Sequence, residues 1–287
     1  MNITEFQEKL LQQALQAGLT EAEVYFERKQ SFQCKLHEGE IDSYETSEDG
    51  GLSLRGLYEG KMGYAYTEKL DDDSIAFLID SVKKNASILD EDDGTDIFEG
   101  SSDYAKHSYY NEELETIGIP EKIELLRSIE KKIRAYDSRI VTLDYCMMGQ
   151  FTTERSLMNS KALSLSQKEN GLIIFLSVVV KDGNEMKTAS YRKMTRDFAS
   201  LHADDIAKVA AEEALANLGE KSIPSGKYPI IIRNDAAASL LAIYSSIFSA
   251  ENAQKNQSLL KGKVGQKVAS DALTLVSIPF HRNALKE

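Results

Sequence analysis

One pattern limits what this chain can become. A helical period is followed by short alternating runs cut by glycine-bearing turns, then by a second helical period, and the whole order occurs twice. The first round starts with apolar Ile3, Phe6, Leu10, Leu11, Ala14 and Leu15, an amphipathic helix over 3–17. Strands are expected at Ala22 to Lys35, Glu40 to Ser47, Gly51 to Tyr58 and Lys61 to Thr67, with turns at Glu38-Gly39, Asp49-Gly50-Gly51 and Glu59-Gly60. A helix over 71–89 buries Ile75, Leu78, Ile79 and Val82, and Asp71, Asp72 and Asp73 oppose its dipole. The second round has a helix over 120–136 with Ile123, Leu126, Ile129 and Ile133 inward. Strands follow near 140–153, 156–158, 162–167, 171–181 and 185–191, then a helix over 204–218.

The two rounds also share residues: Asp49-Gly50-Gly51-Leu52 stands beside Glu169-Asn170-Gly171-Leu172, and Glu59-Gly60 beside Asp182-Gly183. These are read as turns in a duplicated unit. The expected fold class is α+β. Two related units of helix, antiparallel meander and helix are followed by a strand-helix segment that leads into an absent C-terminal domain. The domains are 1–118, which includes an acidic, tyrosine-bearing linker from Asp90, then 119–227, then 228–287.

Composition narrows function. With 34 basic and 46 acidic residues the net charge is −12, which repels a phosphate backbone, so direct nucleic-acid binding is not expected. The longest uncharged run, 236–250, contains four serines and is too short to span a bilayer, and no signal peptide opens the chain. Cys34 and Cys146 lie in expected strands without metal-ligand spacing and read as reduced buried thiols of a cytoplasmic protein. His37, His107, His202 and His281 are scattered, and no nucleophile elbow or phosphate loop is present: Ser225-Gly226-Lys227 runs into Tyr228 and reads as a turn.

The segment after these units carries the most telling residues. Tyr228 to Arg233 reads as a strand, Asn234 or Asp235 as a helix cap, and Leu240, Leu241, Tyr244, Ile247 and Phe248 as a buried helical face that delivers Ala250 to Lys255 at its far end. Taken alone, this is an amphipathic core helix with a polar end. The order Ile-Pro-Ser-Gly-Lys-Tyr-Pro-Ile-Ile-Ile (223–232), Phe-Ser-Ala-Glu-Asn-Ala-Gln-Lys (248–255) and Gly-Lys-Val-Gly-Gln-Lys-Val-Ala-Ser (262–270) resembles the TldD/PmbA family, once called modulators of DNA gyrase. Weaker blocks at Glu23-Val24-Tyr25, Gly60 to Ala65, Met158 to Lys161 and Ala189 to Arg192 extend the resemblance over most of the chain.

That resemblance implies a proteolytic pair of paralogous subunits, one of which, the TldD type, holds zinc with a His-Glu-x-x-x-His motif on this helix. The motif's histidines fall here on Ala250 and Lys255, and only Glu251 matches. Alanine has no lone pair and a lysine ammonium only donates, so neither can ligate a metal. The chain therefore resembles the PmbA-type half, with no cofactor of its own, no catalytic residue and no activity alone. Its expected partners are a zinc-bearing TldD-type subunit, in a hetero- or homodimer, and unfolded peptide, for which Lys255 is a candidate contact. A stand-alone binding module of the same fold, or a hydrolase with an unrecognised site, are the alternatives. Family members continue beyond Glu287, where Pro279-Phe280-His281 reads as entering a loop. Met147, Met148, Phe151, Phe175, Val178 and Val180 exceed what one small sheet face uses, which makes Val178 and Val180 candidate interface residues.

Overall fold

Strand β1 (Glu21–His37) is the axis on which both halves of the fold are assembled. The computed structural model describes residues 2–90, 96–105 and 107–278, and it divides into one unit running to Glu220 and a second from Lys221 onward. The expected loop entry at Pro279 to His281 lies outside the described residues.

In the first unit β1 pairs antiparallel on one side with β2 (Glu40–Tyr58), which pairs with β3 (Lys61–Thr67). On its other side it pairs with β4 (Ile140–Asn159), followed by β5 (Ser164–Asp182) and β6 (Glu185–Thr195). The order is β3-β2-β1-β4-β5-β6, all antiparallel. The α+β class holds, but the two expected meanders are joined in one sheet, because β1 and β4 give each other the inner edge that each meander would otherwise leave open.

Several turn-like residues proved to lie inside strands. Asp49-Gly50-Gly51 does not divide β2: a Cβ at Gly51 would stand 2.5 Å from the Tyr66 ring, and one at Gly50 would stand 2.7 Å from the Glu27 carbonyl oxygen. These glycines permit close approach and do not turn the chain. Likewise Glu169 and Asn170 lie within β5, and β4 runs unbroken through Glu154 and Arg155. The expected turns at Glu38-Gly39 and Glu59-Gly60 are hairpins in which both residues have positive φ (53° and 83°, 52° and 77°), the mirror-image turn that suits a right-twisted pair, and Gly183 (φ 56°) turns β5 into β6 as expected.

Helices α1 (Ile3–Gln16) and α2 (Asp72–Ile88) cover one face of the first half-sheet. Asn2 and Glu5 form a reciprocal capping box at the start of α1, and the Asp71 carboxylate accepts from the Ser74 backbone N–H (2.9 Å) and hydroxyl (2.6 Å) at the start of α2. After the short α3 (Glu112–Thr116), α4 (Ile119–Tyr136) and α5 (Ala203–Ala216) cover the second half-sheet. Ala22, Val24 and Phe26 of β1 enter the first core, and Phe32, Cys34 and Leu36 enter the second.

Between the two cores the same face turns polar. Arg28 donates to Glu154 (2.7 Å), which also pairs with Lys168 (3.1 Å). Glu115 accepts from Thr152 and Asn170, both at 2.7 Å. Asn170 also accepts from the Asn111 backbone N–H (2.9 Å), tying down the end of the connecting segment, where Tyr109 is fully buried.

The parity of β5 corrects the interface expectation. Val178 and Val180 point into the core beneath α4 and α5 and are 0% exposed, so they offer no surface to another chain. Each contributes roughly 1.5 kcal/mol or more by burial. Met147 and Phe175, paired across β4 and β5, occupy the opposite parity on the helix-free face and are half-buried.

Candidate functional site

The residues that the sequence marks for function lie in the second unit. Tyr228 to Arg233 forms no ladder there: Ile230 and Ile231 are 80% and 99% exposed. A β-branched run becomes a strand only where a neighbour accepts its hydrogen bonds and side chains, and no described residue does so. Arg233 then pairs with Asp235 at 2.7 and 2.5 Å, and these hydrogen bonds hold the Asp235 carboxyl down at about 2.

Helix α6 (Asn234–Tyr244) forms but stops short of the motif, and its N-cap position is Arg233, whose side chain has no acceptor for the first-turn N–H groups, in place of the expected Asn234 or Asp235. A 3₁₀ turn over Ser245–Phe248 and an extended Ser249 separate it from α7 (Ala250–Gln254), a five-residue helix of its own. Serines cause the break. The Ser245 hydroxyl donates to the Ala242 carbonyl (2.7 Å) and Ser249 accepts from the Asn252 N–H (3.3 Å), alternatives to the next helical hydrogen bonds. Asn252 then donates to the Ser246 carbonyl (2.8 Å), folding α7 back on the turn.

On α7 and its C-cap, Lys255, the three motif positions present a methyl group, a carboxylate and an ammonium. Glu251 and Lys255 meet at 2.5 Å as an i,i+4 pair, 68% and 60% exposed. The Lys255 ammonium is thus paired within the chain at an exposed site. Five residues of helix also turn about 140°, so positions 250 and 255 do not converge on one point. Among the described residues no group of three or more His, Cys, Asp or Glu side chains stands together as a metal cluster would require. A donor set of one carboxylate beside an ammonium does not fit zinc.

What the unit does present is apolar. A groove of about 560 Å³ is lined by Leu241, Tyr244, Phe248, Leu260, Val268 and Leu275, with the Lys267–Asp271 pair at its rim. The intended buried face of α6 stays open, with Leu240 45%, Leu241 41% and Tyr244 56% exposed. The sequence had marked those residues as a core. It had not marked the ion-paired centre of the helix-free sheet face, where Arg155 joins Glu27 (2.7 Å) and the buried Glu169 (3.1 Å), because those residues come from three strands and share no spacing.

This arrangement, an antiparallel sheet with paired helices on one face followed in the chain by a separate helical unit, defines an α+β fold. Three family descriptions match in order: the PmbA/TldA metallopeptidase domain 1 over 22–86, the central domain over 112–218 and the C-terminal domain over 225–287. The chain belongs to the PmbA/TldD metallopeptidase family. It is 27% identical over 274 residues to an uncharacterized protein of Methanocaldococcus jannaschii, covering 94% of this chain and 61% of that one. It is 25% identical over 268 residues to the metalloprotease TldD homolog of Haemophilus influenzae, covering 89% and 55%. Among solved structures, a Thermotoga maritima protein named for modulation of a DNA gyrase superposes with a TM-score of 0.84 at 28% identity, covering 92% of this chain and 60% of that one. TldE from Thermococcus kodakarensis gives 0.79 at 21% identity, covering 98% and 63%, a likeness of fold. The chain thus spans little more than half the length of the relatives it matches. No described helix is long and apolar enough to cross a membrane.

Proposed function

We propose that this chain is the PmbA-type, non-metal-binding subunit of a two-subunit metallopeptidase. It contributes assembly and the handling of unfolded peptide, while a TldD-type paralogue holds the zinc and cuts. The carrying observation is the donor set of α7: within a metallopeptidase family, the two positions that would ligate are Ala250 and Lys255, and the remaining Glu251 is tied to Lys255 at 2.5 Å. A carboxylate serves as a general base here only beside a water activated by a metal, and this helix cannot hold one.

The open apolar face around α6 supports a role in assembly. Large apolar side chains left uncovered side by side mark a surface that another polypeptide covers. The cytoplasm is the proposed site of action, and peptide the proposed substrate. The test is to coexpress the chain with a TldD-type paralogue from the same source, purify through a tag on one subunit, and follow cleavage of an unfolded peptide by each subunit alone and by both. Copurification with cleavage only in the pair supports the reading. Cleavage by this chain alone refutes it.

A further inference from the structure

Strand β2 has a free edge. β3 occupies only Leu52 to Tyr58 of its 19 residues, and Glu40 to Gly51 pair with β1 on one side and with no described residue on the other. That leaves roughly 40 Å of strand whose outward N–H and C=O groups are unpaired. The edge reads Glu-Ile-Asp-Ser-Tyr-Glu-Thr-Ser-Glu-Asp-Gly-Gly, with five carboxylates and no base. Asp42 is answered by Lys35 (3.0 Å), and Glu48 accepts from Gln30 (2.9 Å) and lies 3.9 Å from Arg28, while among the described residues no base stands within ion-pair distance of Glu45 or Asp49. Where β3 leaves the sheet, a cavity of about 660 Å³ opens beside this edge, and among its lining residues Glu48, Asp49, Glu68 and Glu154 stand against the single Arg28. Arg28 is already bound to Glu154 at 2.7 Å, so the cavity keeps an excess of negative charge.

We infer that this edge is a docking site for an extended, basic peptide segment, which adds as a strand alongside Glu40 to Gly51 and places a lysine or arginine in the cavity. Backbone hydrogen bonds would supply affinity and the alternating carboxylates the selectivity. Cations at alternate positions of the added strand share one face and meet Glu45 and Asp49, which lie four residues apart on one face of β2, and a single cation on the opposite face enters the cavity beside Glu48. Charge excludes the rival occupant: a second copy paired on the same edge would set five carboxylates against five. The inference does not depend on the peptidase reading, since the surface lies in the first unit and uses no residue of α7.

The test uses the full chain and a fluorescent nonapeptide of alternating lysine and threonine. Its affinity is compared with that of a peptide of equal charge interrupted by prolines, and backbone exchange is followed by mass spectrometry. Strand addition predicts slowed exchange confined to Glu40 to Gly51, and binding about ten-fold weaker for the proline peptide, which keeps the charge but cannot form the ladder. Glu45→Lys with Asp49→Lys should weaken the alternating peptide by about ten-fold or more, and the milder Glu45→Gln with Asp49→Asn by about three-fold. The second pair decides the matter if the first fails to fold. Equal affinity for the two peptides, protection elsewhere in the chain, or indifference to both pairs of substitutions would overturn the inference.

Discussion

Arg155 is the residue whose loss would be felt most on the helix-free face. It binds Glu27 at 2.7 Å and Oε1 of the 2% exposed Glu169 at 3.1 Å, and among the described residues Oε2 of Glu169 has no hydrogen-bond partner. Arg155→Ala leaves a buried carboxylate uncompensated and should cost about 3 kcal/mol in chemical denaturation, while Glu169→Gln, which removes the charge with its partner intact, should cost clearly less. The same cluster sets an acid limit. Hydrogen bonds from Arg155 and then from the Tyr25 hydroxyl hold the Glu27 carboxyl below its ordinary 4.5. A depressed carboxyl contributes stability that is complete above about pH 4.5 and is lost as pH falls through the lower folded value. Arg155→Ala should flatten that acid-side loss, and an unchanged pH profile of stability would show that the cluster does not govern it. By contrast Glu251→Gln breaks a pair that is more than half exposed on both sides, and should change stability by less than about 1 kcal/mol.

At the level of elements, the helices were legible and the strand ends were not. Expected and observed limits of α1, α2, α4 and α5 agree to within two residues, because each has an apolar stripe and most have a cap or a proline at the start. Strands were cut too short wherever glycine or polar residues lay within them. Gly50, Gly51, Glu154, Arg155, Glu169 and Asn170 occupy the polar belt and ion-paired centre of the sheet, and their neighbours come from other strands, which no local pattern reveals. The joining of the two meanders through β1 and β4 is hidden for the same reason, since sequence periodicity reports faces and not partners. In the second unit the α7 motif was legible as residue types, whereas its separation from α6 depends on serine hydroxyls competing for backbone groups. Close packing yields a further prediction. A Cβ at Gly63 of β3 would lie 2.0 Å from the Val82 carbonyl oxygen of α2, while one at Gly118 finds its nearest neighbour at 3.6 Å. Gly63→Ala should therefore destabilise by about 1–3 kcal/mol, and Gly118→Ala by less than about 0.5 kcal/mol, as read from urea midpoints.

Across the whole molecule, the two units differ in how they are held. The first has two buried cores beneath one sheet. In the second no hydrophobic side chain of the described residues is fully buried, and Ile231 and Val264 are each 99% exposed. Few buried contacts mean low local stability, so limited proteolysis of the isolated chain should cut first between Lys221 and Ile278 and leave a resistant fragment ending near Glu220. Loss of both units at the same rate would contradict this. Coexpression with a TldD-type subunit should slow those cuts, as expected of a surface that assembly covers. The central claim, that this is the half of a peptidase pair that lends no metal and no base, is tested most directly by measuring zinc and peptide cleavage in the reconstituted pair with Glu251→Gln in this chain. The account predicts unchanged zinc, all of it following the TldD-type subunit, and substantially unchanged cleavage. A stoichiometric zinc carried by this chain, or loss of cleavage on Glu251→Gln, would contradict it.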